Sequence, residues 1–328
     1  PFSKFSCGDT FAWFAQRGVE LKIEEDGRAF PITDSSQSII DCFISLCRSH
    51  KIKILTNKKV KNILIDVNKY FVHTDEETFK SNYVVVACGS SPFFWDVLKK
   101  LNHAIVDPVP SLFTFNVKDS RLMGLMGITI PSAEVKILDT KLVELGPVLI
   151  THWGLSGPAI LRLSAWGARD LAILKYQFFI EIDWLPGITE DDFKFYKINA
   201  GVKQVFANPI GGLPIRFWKS MLSTCNLIEN IKWADLNKED LLLIMNTFKN
   251  SRFKVNGKST FKDEFVTAGG VELKEINFKN FESKINPNMY IIGEAINIDA
   301  ITGGFNFQAA WTGSILASAD IVNKLNKR

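Results

Sequence analysis

Apolar and polar positions change period several times along the chain. Residues 9–17 (DTFAWFAQR) predict a short helix capped by Asp9 and stopped by Gly18. VELKIEE (19–25) alternates apolar with polar and predicts a strand. Behind caps offered by Thr33, Asp34 and Ser35, the residues Ile39, Ile40, Phe43, Ile44 and Cys47 fall at helical spacing. The period then shortens. IKILT (52–56), VKNILIDV (60–67) and YFVHT (70–74) are β-rich, the last two joined by an Asn-Lys turn. NYVVVACG (82–89) is a continuous apolar run, as expected of a parallel strand covered on both faces.

At VDPVP (106–110) turn formers interrupt the pattern, which places a domain boundary there. Beyond it LFTFNV, GITIP, AEVKIL and PVLITHW are strand-like, GPAILRLSAWGARDL (157–171) is helical, and YQFFIEIDWL returns to strand character. A β-barrel or β-sandwich with one helix is expected. DDFKFYKI, PIRFWKSML and KEDLLLIMNTF predict helices within 189–250, EFVTAGGVEL and MYIIGEAINI predict strands, and a long helix is expected from Asn306 onward.

Composition narrows the class. Hydrophobic residues make up 46% of the 328 and charged residues 23%, which excludes a disordered or fibrous chain. The 39 basic and 35 acidic residues leave a net charge of +4, too small to call for nucleic acid or a membrane surface. The densest basic run, Lys249, Arg252, Lys254, Lys258 and Lys262 with Phe253 and Phe261 interleaved, reads as a solvated loop, with nucleic-acid contact as the other reading. Five cysteines without a CxxC spacing give neither a disulfide framework nor a zinc site, so a reducing cytoplasm is expected. The opening PFSKFSCGDTF has no apolar signal core. Ala300–Ala319 carries no charge but is too diluted by Gly303, Gly304, Asn306, Gln308 and Gly313 to sit in lipid.

Residues 289–317 carry the most chemistry: an apolar strand, Gly293-Glu294 at its end, the Gly303-Gly304 turn, then a helix. A helix N-terminus offers unpaired N–H donors and partial positive charge, and glycines admit a phosphate or ring to the backbone. The spacing fits equally an anion site and an ordinary strand-to-helix turn. YVVVACGSS (83–91) also ends a buried strand in small residues. Two such strand ends fit a doubly wound sheet with its ligand outside the carboxyl ends, though close helix packing explains each alone.

Together these segments resemble the YhiN/BaiN-like flavoproteins, FAD-dependent and NAD(P)H-linked oxidoreductases. The matching pieces are WFAQRGVELKIEEDGRAFP (13–31), VVVACGSSP (84–92), LITHWGLSGPAIL (149–161), EFVTAGGVELKEI (264–276) and FESKINPNMYIIGEAINIDAITGGFNFQAAWTG (281–313). The resemblance implies an α/β fold, with a Rossmann-like, glutathione-reductase-like FAD domain over 1–107 and 268–328. It also implies a β-barrel-like insert over 108–188 and 251–267 and a helical subdomain over 189–250. By the same analogy Val60 would meet the adenine through its backbone, while Cys88 and Gly89 would lie near the adenosine or pyrophosphate. Gly293 would line the same groove, Glu294 would hold ribose or ribityl hydroxyls, and Thr302, Gly303, Gly304, Phe305, Asn306 and Phe307 would face the pyrophosphate and flavin edge.

The family opens with a strand, a GxGxxG turn and a helix that hold the dinucleotide, and no GxGxxG occurs here. Cys88 stands where the family usually has Thr, and GSSPFFW replaces a longer glycine-rich continuation. The 328 residues alone are therefore expected to hold FAD weakly or not at all, and a GxGxxG upstream of Pro1 would settle the cofactor. His152, in THWGLSGP, is the candidate proton donor or substrate contact, against a purely structural histidine. Ser156 lacks the glycine spacing of a hydrolase elbow. Arg28 fits either a cofactor phosphate or a surface ion pair, and Trp311 either the flavin pocket or the core. The implied activity is hydride exchange between FAD and a small organic substrate, with no membrane and no resident metal. The rival expectation is a flavoprotein remnant that only binds a partner or associates with nucleic acid.

Overall fold

Ser6 and Asp9 open the first helix together. In the computed structural model, Ser6 accepts from the backbone of Asp9 while the Asp9 carboxylate takes the Ser6 N–H at 2.7 Å, a capping box that starts α1 (Cys7–Ala15). Asp9 is thus the third helical residue rather than the cap. The description covers residues 1–25, 27–67, 69–259, 266–301 and 303–327. They form two compact units, one of residues 1–108 with 269–328 and the other of residues 109–268.

In the first unit, β1 (Leu21–Ile23) and β2 (Ala29–Pro31) form a hairpin that leads into α2 (Gln37–Ser49). Cys42 of α2 is buried with Phe14, but Ile40, Phe43 and Ile44 of the expected apolar face remain exposed. IKILT does not form a strand: residues 52–55 join no ladder. An antiparallel meander follows, β3 (Val60–Asp66), β4 (Lys69–Thr74) and β5 (Thr78–Ser81). The apolar run at 82–89 contributes only β6 (Val84–Val86), followed by α3 (Pro92–Lys100).

From the chain's other end come β15 (Ile276–Asn277), β16 (Glu282–Ser283), β17 (Met289–Ile291) and the final helix α9 (Gly303–Asn326). The sheet order is β15-β16-β17-β6, and only β17 and β6 run parallel, Met289 opposite Val84 and Ile291 opposite Val86. The doubly wound sheet of the sequence reading is therefore reduced, among the described residues, to one parallel pair. Val85 is 45% exposed, so β6 is not covered on both faces as its apolar run suggested. α9 begins three residues before the expected Asn306, and no helix among the described residues is long and apolar enough to cross a membrane.

The chain passes between units along β7 (Ile105–Ser111) and β14 (Val266–Val271), which pair with each other. The second unit is built on a closed six-stranded barrel of β8 (Thr114–Val117), β9 (Thr129–Ile137), β10 (Val143–Ile150), β11 (Gly154–Ser156), β12 (Gln177–Asp183) and β13 (Ser251–Ser259). GITIP and AEVKIL merge into the single strand β9. The expected helix over 157–171 breaks at Gly167 into α4 (Pro158–Trp166) and α5 (Ala168–Ile173). The helices α6 (Glu190–Asn199), α7 (Ile215–Leu222) and α8 (Lys238–Lys249) share one continuous core with the barrel, through Phe193, Phe217, Trp218 and Phe248.

The basic run is not a loop over its described part. Lys249 ends α8 and pairs with Asp183 at 2.8 Å; Arg252 and Lys254 point outward from β13, and Arg252 meets Glu181 at 2.8 Å. Phe261 and Lys262 lie outside the described residues.

Candidate functional site

Strands β6 and β17 end side by side, and each is followed by a glycine in the left-handed region. Gly89 has φ +64 and Gly293 has φ +65, a conformation that side chains with a Cβ resist. A Cβ on Gly89 would meet nothing within 4 Å, so the backbone there borders open space. The ladder continues one bond past the strand, with the Ile292 N–H donating to Val86 at 3.0 Å. Trp95 on α3 clamps the two ends: its indole N–H donates to the Ala295 carbonyl at 3.1 Å.

Glu294 sits on the 3-10 turn after β17. Burial pushes its carboxyl above the ordinary glutamate value, and a hydrogen bond from the Ser90 side chain offsets part of that rise. A carboxyl so placed, half out of water, is suited to accepting hydroxyl donors from a ligand. Burial also pushes the Cys88 thiol up to about 11, so Cys88 is a neutral thiol near pH 7 and not a nucleophile.

Helix N-termini follow both strand ends. α3 starts with Pro92 at its first position, and its cap residue Ser91 spends no side-chain hydrogen bond on the helix. α9 packs against the end of β17. A Cβ built on Gly313 would lie 3.2 Å from the Ile292 side chain, and one on Gly293 would touch Ala310 at 3.6 Å. Phe305 and Phe307, in the first two turns of α9, are 60% and 62% exposed, and Phe307 stacks on Trp311 with centroids 5.7 Å apart.

The structure thus brings Cys88, Gly89, Gly293 and Glu294 together. Gly303, Gly304, Phe305, Asn306 and Phe307 stand at the start of the helix that packs on the same strand end. Thr302 lies outside the described residues. Val60 opens β3 opposite Thr74 and packs against the core that also contains Val86 and Ile291. Trp311 packs edge-on against Phe14 at 5.4 Å, which is core packing, while its stack with Phe307 reaches the exposed end. Arg28 lies over the Phe30 ring at 5.4 Å. His152 belongs to the barrel unit, exposed on the turn after β10, beside Trp153, which is 57% exposed. Thr151 accepts from the backbone of Trp153 and Gly154, which fixes that turn.

Sequence reasoning missed Ser90 and Trp95, although Ser-Ser-Pro before an apolar run marks a helix start. It also missed what anchors α9: buried Gln308 accepts from Thr10 at 2.8 Å, and both Gln308 and Thr312 donate to the Phe5 carbonyl. No sequence signal joins residues so far apart.

The family described as "HI0933-like protein Rossmann domain" matches residues 1–320. Over 333 residues, covering 98% of this chain and 80% of the relative, the chain is 26% identical to the ribosomal RNA dihydrouridine synthase of Escherichia coli K12. It is 23% identical over 330 residues (96% and 80%) to the 3-dehydro-bile acid delta(4,6)-reductase of Clostridium scindens. It is 22% identical over 333 residues (97% and 80%) to the ribosomal RNA dihydrouridine synthase of Haemophilus influenzae.

Proposed function

The chain belongs to the HI0933-like family of Rossmann-domain proteins, and from that premise we propose that it is a FAD-dependent oxidoreductase. Its proposed reaction is reduction of a carbon–carbon double bond conjugated to a carbonyl, with NAD(P)H as the source of hydride. The observation that carries this reading is the pair of left-handed glycines, Gly89 and Gly293, at adjacent parallel strand ends, with the half-buried Glu294 beside them.

That arrangement fits FAD on its own terms. Open backbone at Gly89 admits a flat or phosphorylated group, and Glu294 can accept from ribose or ribityl hydroxyls. The N–H groups of Gly303, Gly304, Phe305, Asn306 and Phe307, at the start of a 24-residue helix, suit a pyrophosphate, and Val60 suits the adenine edge through its backbone. When bound, FAD supplies a two-electron carrier able to accept a hydride and pass it on. The protein's part is to hold the ring system, exclude water and deliver one proton.

The relatives' names support the bond type. Dihydrouridine is uridine with its ring double bond reduced, and that bond is conjugated to a carbonyl. A 3-dehydro delta(4,6) bile acid likewise carries double bonds conjugated to a ketone. Two scaffolds so similar to this chain in sequence, with the same bond class in their names, favour a conjugated alkene over a simple alcohol or amine.

The test is flavin retention. In titrations with added FAD, Gly89→Val and Glu294→Gln should each raise the dissociation constant about tenfold, equivalent to roughly 1.4 kcal/mol of lost binding. Anaerobic NADH or NADPH should bleach the bound flavin. An unchanged dissociation constant in both variants overturns the site.

A further inference from the structure

Several cations of the barrel unit meet a carboxylate directly. Arg121 meets Asp119, Arg162 meets Glu144, Lys249 meets Asp183 and Arg252 meets Glu181, each at 2.8 Å. Lys258 is handled differently. β13 pairs regularly with β12 through Asn256, but its register against β8 slips between Val255 and Lys258, where Gly257 takes φ +104. Val255 opposes Val117 and Lys258 opposes Phe115, both partners inward-facing and buried. The extra residue therefore turns Lys258 to the inner face, which simple alternation after Val255 would have denied it. Bulges commonly re-aim a side chain in this way at barrel rims.

Once turned inward, the ammonium lies 4.9 Å from the centre of the Tyr176 ring and 6.0 Å from that of Phe113. Those rings meet edge to face at 5.4 Å. Among the described residues Lys258 has no carboxylate within ion-pair reach. Ring faces return only part of the hydration an ammonium loses on burial. Consistent with that deficit, burial holds Lys258 below the ordinary lysine value.

We propose that Lys258 is an oxyanion site at the barrel rim, taking the carboxylate or phosphate group of a ligand that completes its half-made ion pair. The bulge, the two rings and the lack of a carboxylate partner among the described residues are explained together: a partly buried, aimed cation binds an incoming anion more strongly than a fully solvated one. The site lies wholly within the barrel unit and does not depend on the flavin reading.

The experiment is run on the whole chain without added flavin, so that its outcome is separate from that of the flavin-retention test. Lysines are acetylated at limiting N-hydroxysuccinimide acetate, and peptide mass spectrometry follows Lys258 against exposed Lys254. The probes are inorganic phosphate and acetate, and whichever acts identifies the ligand's anionic group. A probe at four times its dissociation constant occupies about 80% of sites, slowing Lys258 acetylation about fivefold by mass action while leaving Lys254 unchanged. In titration calorimetry, Lys258→Met should abolish the saturable anion binding and Lys258→Arg should keep it. Absence of protection by either probe overturns the proposal. So does protection that emerges only in the Asp263→Asn, Glu264→Gln double variant, because an internal carboxylate is then the partner.

Discussion

Strand β13 of the barrel has a partner on each edge, β12 and β8, whereas β6 of the other unit has, among the described residues, one, β17, and leaves Val85 half exposed. The contrast extends through both units. The barrel and its helices enclose Trp184, Trp218, Trp233, Phe217 and Phe248 in one continuous core, and closure removes every free sheet edge. The other unit has strands of two or three residues in its four-stranded sheet, separate small sheets, and a core divided between the sheet and the α1–α2 contact. Closure gives the barrel its rigidity. Unclosed strand ends give the other unit its backbone glycines, its half-buried carboxyl and two helix N-termini. Binding chemistry gathers where regular pairing stops.

The strongest way to sharpen this contrast is to damage each unit at an aromatic residue. Trp218→Ala removes a fully buried ring stacked on Phe248 at 4.2 Å and should cost about 3–5 kcal/mol in chemical denaturation. Phe305→Ala, at an exposed position beside the candidate site, should stay within about 0.5 kcal/mol while reducing flavin retention. Equal losses in stability would break the comparison.

A smaller effect is expected at the seam between α1 and α9. Gln308→Leu takes the 2.8 Å acceptor from the Thr10 hydroxyl, leaving it the Ser6 carbonyl at 3.2 Å, and should cost about 1 kcal/mol. Hydrogen exchange should speed up in residues 7–15 and not in the barrel.

Next comes pH. His103 is buried between Glu275, 3.0 Å from its Nδ1, and Ser283, 3.1 Å from its Nε2. Burial lowers its pKa in the folded state, and the Glu275 contact opposes that only in part. The unfolded chain therefore takes up the proton first. Stability is fully present above about pH 6.5 and is lost as pH falls below it toward the folded value. Denaturation midpoints at pH 7.5 and 5.0 should differ for the unit that holds His103, and His103→Gln should flatten that difference.

The smallest effect belongs to the barrel surface. Arg252 is 70% exposed, so Arg252→Ala should change stability by about 0–1 kcal/mol despite its 2.8 Å contact with Glu181.

These contrasts also mark what was legible in the sequence. The helices α6 and α8 were expected from DDFKFYKI and KEDLLLIMNTF, and the structure adds reciprocal caps, Thr189 with Asp192 and Asn237 with Asp240. The apolar runs at 84–86 and 289–291 declared strands, of which only the second is buried throughout, and the glycines after them pointed to a site. IKILT misled because its β-branched residues had no partner strand, and propensity without pairing makes no ladder. Reading the basic run as a loop failed because outward positions of β13 alternate with buried Phe253 and Val255, which charge counting ignores. The helix start at Gly303 was placed late because glycine is a poor helix former. The inward turn of Lys258 was invisible, since a bulge depends on the partner strand's register as much as on its own residues.

The pairing of distant segments has a consequence for how the protein is made. Barrel closure needs β8 at residues 114–117 to meet β13 at 251–259, so it can occur once residue 259 has left the ribosome. β6 must wait for residues 289–291, and α1 for Gln308 and Thr312, although both emerge long before the barrel does. These segments, synthesised before the barrel, therefore finish folding after it. During that interval α1, α2 and β6 would trail an already closed barrel with their apolar faces bare, and a nascent-chain chaperone would find its substrate there.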